Sequence, residues 1–140
     1  MRDNQSLHLK AQEMADCYKS TDYLREMSLV SEDQDAEEAA LKWIALAILH
    51  GVNSNAESVS IRRTEDGKVS VLAEYRKHFL PSPGGPVGDK AIEFLRCMVD
   101  LEVDKGKQQL AFGWGNESLD LRVKAKRGKG HDTVTIEFPK

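Results

Sequence analysis

Between residues 5 and 28 the apolar side chains Leu7, Ala11, Met14, Cys17, Tyr18 and Leu24 recur at the spacing of one helical face, which predicts a peripheral helix. Ser31-Glu32-Asp33-Gln34 has the S-x-x-Q form of a capping box. Acidic residues at 32, 33, 35, 37 and 38 suit the positive end of a helix dipole, so a second helix is expected to start between Ser31 and Ala36. Its apolar stripe runs through Leu41, Ile44, Ala45 and Ile48. Trp43, Leu46 and Leu49 widen it, the mark of a helix buried on more than one side. Gly51 is the expected left-handed stop after His50.

Beyond Asn55 the period changes to two. Val59 and Ile61 alternate with Ser58, Ser60 and Arg62, Asp66-Gly67 supplies a turn, and Val69, Val71, Ala73 and Tyr75 form the returning strand of a hairpin. The segment Pro81 to Gly88, rich in proline and glycine, reads as a loop. Asp89 is the expected cap of a helix with Ala91, Ile92, Leu95, Met98 and Val99 inside and Lys90, Glu93, Arg96 and Asp100 outside. Three alternating strands follow, on Leu110-Phe112-Trp114, Leu119-Leu121-Val123 and Val134-Ile136-Phe138, with glycine-bearing connections that predict an antiparallel meander. The expected fold is α+β: a mainly antiparallel sheet of about five strands with helices packed on one face, PAS-like in outline. Residues 1–30 form an N-terminal helical extension to a single domain spanning 31–140.

Composition narrows the setting. The 140 residues, 40% hydrophobic and 31% charged, are enough for one core without disulfides. A net charge of −3 offers no global attraction to nucleic acid, which is therefore not the expected partner. The N-terminus lacks the unbroken apolar run of a secretion signal, and the apolar stretch Ala39–Leu49 is interrupted by Lys42 and falls short of the ~20 residues that span a bilayer. A cytoplasmic protein without membrane insertion is expected. Cys17 and Cys97 stand far apart with no C-x-x-C, so both are expected as reduced core or near-core residues, with no metal and no cofactor.

The order of elements, together with particular residues, resembles the N-terminal subdomain that precedes the motor domain in the ATPases of type II secretion and type IV pili. The strand Asn55-Ala56-Glu57-Ser58-Val59-Ser60-Ile61-Arg62 keeps the hydrophobic skeleton of the family's G-A-S-D-I-H-I-E but not its polar signature. Val69 to Glu74 stands where the family has R-V-R-Y-R-I-D-G, and Met98 to Val103 where it ends a helix. Leu119-Asp120-Leu121-Arg122-Val123 is similar to the family's D-[LV]-R-V strand, with Gly130-His131 as the following turn. In the family, arginines on the second strand approach nucleotide phosphate; the matching positions here are Ser70, Leu72 and Glu74. The span from Asp104 to Leu110 is short and lacks D-G-R. No G-x-x-x-x-G-K-[ST] occurs, and the final strand ends at Pro139-Lys140, where the family's ATP-hydrolysing domain would begin. The resemblance implies a non-enzymatic interaction or regulatory module whose partner is a secretion or pilus ATPase or a second copy of itself.

The candidate contact residues follow from charge and aromaticity. Lys124, Lys126, Arg127, Lys129 and His131 concentrate positive charge around one turn; Arg62 and Arg63, with Arg76 and Lys77, extend it if the hairpins share an edge. The plain alternative is a solvated turn. Trp114 between Gly113 and Gly115 is a candidate contact aromatic, although its place in the alternation also fits core packing. Two other classes stay open: a secretion-chaperone-like binding protein, expected to dimerise and carry a C-terminal helix, and a PAS-like sensor with a small-ligand cavity.

Overall fold

The computed structural model describes residues 4–32, 35–74, 78–80, 82–98, 105–114, 117–128 and 130–139. Helix α1 (Asn4–Tyr18) is followed by α2 (Tyr23–Leu29), a 3-10 turn (Val30–Glu32) and α3 (Ala36–Asn53). Strands β1 (Ser58–Thr64), β2 (Val69–Ala73) and β3 (His78–Leu80) precede α4 (Gly85–Met98), and β4 (Lys105–Trp114), β5 (Glu117–Gly128) and β6 (His131–Glu137) complete the chain. The sheet has the order β3-β2-β1-β6-β5-β4 with every neighbouring pair antiparallel. This is the α+β class read from the pattern, with a short strand, β3, added at one edge.

Helix α3 is the centre of the helical layer. It is buried from Ala39 to Gly51 except at Lys42 and packs against α1, α2, α4 and β1, which is why its apolar residues encircle it. Its cap is Asp35, whose carboxylate accepts from Glu37 N (3.1 Å) and Glu38 N (3.2 Å), rather than the Ser31 box. Asp33 and Gln34 of that box lie outside the described residues.

Several local expectations are corrected. The helix does not stop at Gly51: it continues to Asn53, Ser54 caps it, and the left-handed residue is Asn55 (φ 55°). Gly51 is required by proximity instead, since a β-carbon there would lie 2.1 Å from Cζ of Phe138. Helix α4 begins at Gly85, inside the stretch read as a loop, because Pro86 in a first turn forfeits no helical hydrogen bond; Asp89 is a helical residue and not the cap. The predicted N-terminal helix is broken into two, with Asp22 capping α2 through Arg25 N, and the buried residues there include Ala15, Met27 and Val30. Cys17, expected in or near the core, is instead exposed at the end of α1, and Cys97 is half-buried. Val99, Asp100 and Tyr75 lie outside the described residues.

A further correction concerns Arg96, expected outside. It is 5% exposed and donates from Nη2 to Oδ1 of Asp132, itself 4% exposed, at 2.7 Å. The pair bolts α4 to β6 within the layer between helices and sheet. Lys42 plays a similar part nearer the surface, meeting Glu26 of α2 at 3.1 Å and lying 4.6 Å from the centre of the Tyr18 ring.

Candidate functional site

Strand alternation assigns each side chain to one face of the sheet. Val59, Ile61, Val71, Val123, Ala125, Val134 and Ile136 face the helices and are buried. The register then aligns the opposite, uncovered face. Arg62 lies beside Thr133 and Thr133 beside Lys126; Ser60 lies beside Thr135, Thr135 beside Lys124 and Lys124 beside Lys107. Glu137 lies beside Arg122. Arg62, Lys107, Arg122, Lys124 and Lys126 are all exposed, against Asp120 and Glu137 on the same face.

Glu137 serves two of these cations, with Lys124 Nζ at 2.8 Å and Arg122 Nη1 at 3.8 Å. Among the described residues, Arg62, Lys107 and Lys126 have no carboxylate within ion-pair distance. Lys107 and Lys124 are directly opposed, an arrangement that costs stability because like charges meet across ~4.5–5.5 Å of Cα separation. Between them and Arg62 the face carries short hydroxyls, Ser60 Oγ and Thr135 Oγ1 being 2.9 Å apart, so the cations stand above a low polar floor.

The helical side has the opposite sign. A groove of about 490 Å³ between α1, α3 and α4 is lined by Glu13, Asp35, Glu37 and Glu38 around Leu7 and Phe94, with Lys10 as its cation. The net charge of −3 thus conceals a polar molecule, basic on the sheet face and acidic at the helix groove.

The candidates read from the sequence divide accordingly. Lys124, Lys126 and Arg62 come together on the open face. Arg127 and Arg63 have the other parity: they flank Asp132 on the helix side, where Arg127 Nη2 meets Asp132 Oδ2 at 3.3 Å and Arg63 Nη1 meets Asp89 Oδ1 at 3.3 Å. His131 sits at the sheet end, between Thr64 and Gly128, beside a hollow of about 290 Å³ that also touches Arg63, Glu65 and Arg127. Lys129, Arg76 and Lys77 lie outside the described residues. Trp114 is half-buried on the helix side of β4, its ring 6.2 Å from that of Phe112, and belongs to the core margin rather than to the basic face. Lys107 and Arg122 were missed. The signal for Arg122 was available in the period-two pattern, because it alternates with the buried Leu121 and Val123; Lys107 stands between Gly106 and Gln108, which carry no apolar alternation.

Asp66 and Lys42 are shifted in ways that report on local order. Asp66, in the β1–β2 turn, accepts from Thr64 Oγ1 and from Lys68 N, and those bonds hold its carboxyl below the ordinary carboxylate value. Burial works against the charge on Lys42, but its bonds to Glu26 and Tyr18 outweigh that and raise its pKa above the usual lysine value. Neither group lies on the basic face. Among the described residues no cluster of histidine, cysteine or carboxylate side chains is arranged to hold a metal ion, and no helix is long and apolar enough to cross a membrane. No protein-family model matches the chain, and no curated protein matches it.

Proposed function

We propose that this chain is a non-catalytic interaction module that docks an acidic protein surface on the open face of its sheet. The observation that carries the reading is the direct opposition of Lys107 and Lys124, with Lys126 and Arg62 close by and Glu137 as the neighbouring counter-charge. A folded domain that keeps like charges opposed gives up stability, and an anionic partner recovers it on binding. The partner to which the sequence resemblance points is a secretion or pilus ATPase, and the domain acts on it from the cytoplasm through contact rather than chemistry.

The test is capture from cell extract with the intact chain as bait, compared with Lys124→Glu/Lys126→Glu. Both side chains are exposed, so the variant is expected to keep its circular dichroism, with the relief of Lys107 offsetting the loss of the Lys124–Glu137 pair in its melting temperature. Recovery of such an ATPase, lost on reversal and weakened by salt, supports the reading. An ATPase retained equally by the reversed variant would remove the sheet face as its contact, and recovery of exported proteins alone would favour the chaperone class.

A further inference from the structure

We propose that the outer edge of β4 is a strand-addition site for a second copy of this chain, held closed by α1. The inference rests on the sheet edge and is independent of the acidic partner proposed for the sheet face. β4 is an edge strand, and its ten residues make it a long one. The backbone groups of its odd-numbered residues point outward, away from β5, because Ala111 O and Gly113 N bond side chains of α1 and the pairing alternates along the strand. Such a row of unpaired donors and acceptors is a template for another strand unless something covers it.

α1 supplies the cover over half the edge. His8 and Gln12, one helical turn apart, place their side chains on Ala111 and Gly113: His8 Nε2 lies 2.6 Å from Ala111 O, and Gln12 Oε1 accepts from Gly113 N at 2.8 Å. The other half is open. Lys107 and Gln109 have no hydrogen-bond partner for their outward backbone groups among the described residues. The anchor of this cover is modest: its buried apolar residues are Leu7, Ala11 and Ala15, two of them only methyl groups, with Met14 and Tyr18 partly buried beside them.

A second copy fits the bared edge better than an arbitrary strand. Antiparallel pairing of β4 with itself about a two-fold axis at Leu110 sets Gln109 against Ala111 of the partner subunit and Lys107 against Gly113 of the partner subunit, so no like charges are opposed. On the helix side the same register brings Leu110 against its own copy and Gln108 against Phe112 of the partner subunit, continuing the apolar layer. The outward groups that pair are those of residues 107, 109, 111 and 113, including both that α1 now satisfies. Because the axis is perpendicular to the sheet, the two basic faces lie on the same side and form one extended surface.

The experiment is sedimentation equilibrium of the full chain and of His8→Ala/Gln12→Ala, which removes the two edge bonds while leaving Leu7, Ala11 and Ala15 in place. The double variant is expected to dimerise at least about tenfold more tightly than the unaltered chain, the effect of freeing two backbone groups from competing hydrogen bonds. His8→Ala alone, the gentler change, is expected to fall between. Adding Gln109→Pro removes an outward N–H that β5 does not use, and it is expected to return the variant to the unaltered level. Dimerisation unchanged by the His8 and Gln12 substitutions, or enhanced dimerisation that survives Gln109→Pro, would overturn the proposal.

Discussion

Replacing Arg96 by methionine should be among the most damaging single changes available on α4. The side chain is buried and bonded at 2.7 Å to an equally buried carboxylate, so its removal strips the Asp132 charge of its buried partner. Breaking one partner from a buried ion pair costs about 3–5 kcal/mol. Arg127 stays beside Asp132 at 3.3 Å and holds it partly compensated, which puts the expected cost near the lower end, about 3 kcal/mol. Since Arg127 is itself half in water, Arg127→Ala should cost only about 0–1 kcal/mol. With a urea dependence of about 2 kcal/mol per molar for a domain of this size, Arg96→Met shifts the unfolding midpoint down by about 1.5 M. Joint replacement by Arg96→Met/Asp132→Leu should recover most of that loss, because two packed apolar groups no longer leave a charge stranded. A midpoint for Arg96→Met within about 0.3 M of the unaltered chain, or a loss for Arg127→Ala as large as that for Arg96→Met, would refute the assignment of the pair as the bolt between α4 and β6.

Three further outcomes follow from particular contacts. Gly88→Ala puts a β-carbon 2.6 Å from Cγ2 of Val69, and the branched valine cannot swing clear, so the variant is expected to lose about 1–3 kcal/mol in denaturant melts, with most of it returned in a Val69→Ala background. Asp66 has a lowered folded-state pKa, so its contribution to the turn is present above the ordinary carboxylate value and disappears as pH falls through the folded one. The Lys68 amide resonance should report a midpoint below that of an ordinary aspartate, and Thr64→Val should move it upward. Lys42 has a raised pKa, so its contribution is complete below the usual lysine value and is lost as pH rises past the folded one; Lys42→Met should cost about 1–2 kcal/mol and speed proteolysis within α1 and α2 first.

Five of the strands were legible because one face of each is buried. Val123 and Ala125 alternate with Lys124 and Lys126 in the sequence just as they do across the two faces, and the register follows from that alternation. The same rule separates Arg127 from Lys126, and pooling the whole charge run as one patch overlooked it. Arg96 was misread for a different reason. Helical periodicity assigns a cation to water by default, and only the fold brings in Asp132, which lies 36 residues away in the chain. The start of α4 was hidden by Pro86 and Gly88, residues that break a helix interior but are tolerated in its first turn. The edge cover was beyond reach, since His8 and Gln12 have ordinary helical spacing and their targets are backbone groups more than a hundred residues later.

The most direct test of the docking face is to titrate an oligo-glutamate peptide into isotope-labelled protein and follow every backbone amide. Shifts are expected to cluster at Arg62, Lys107, Arg122, Lys124 and Lys126, to weaken with added salt and to vanish in Lys124→Glu/Lys126→Glu. Shifts spread over the helices, or a pattern on the sheet that survives the reversal, would contradict docking on this face.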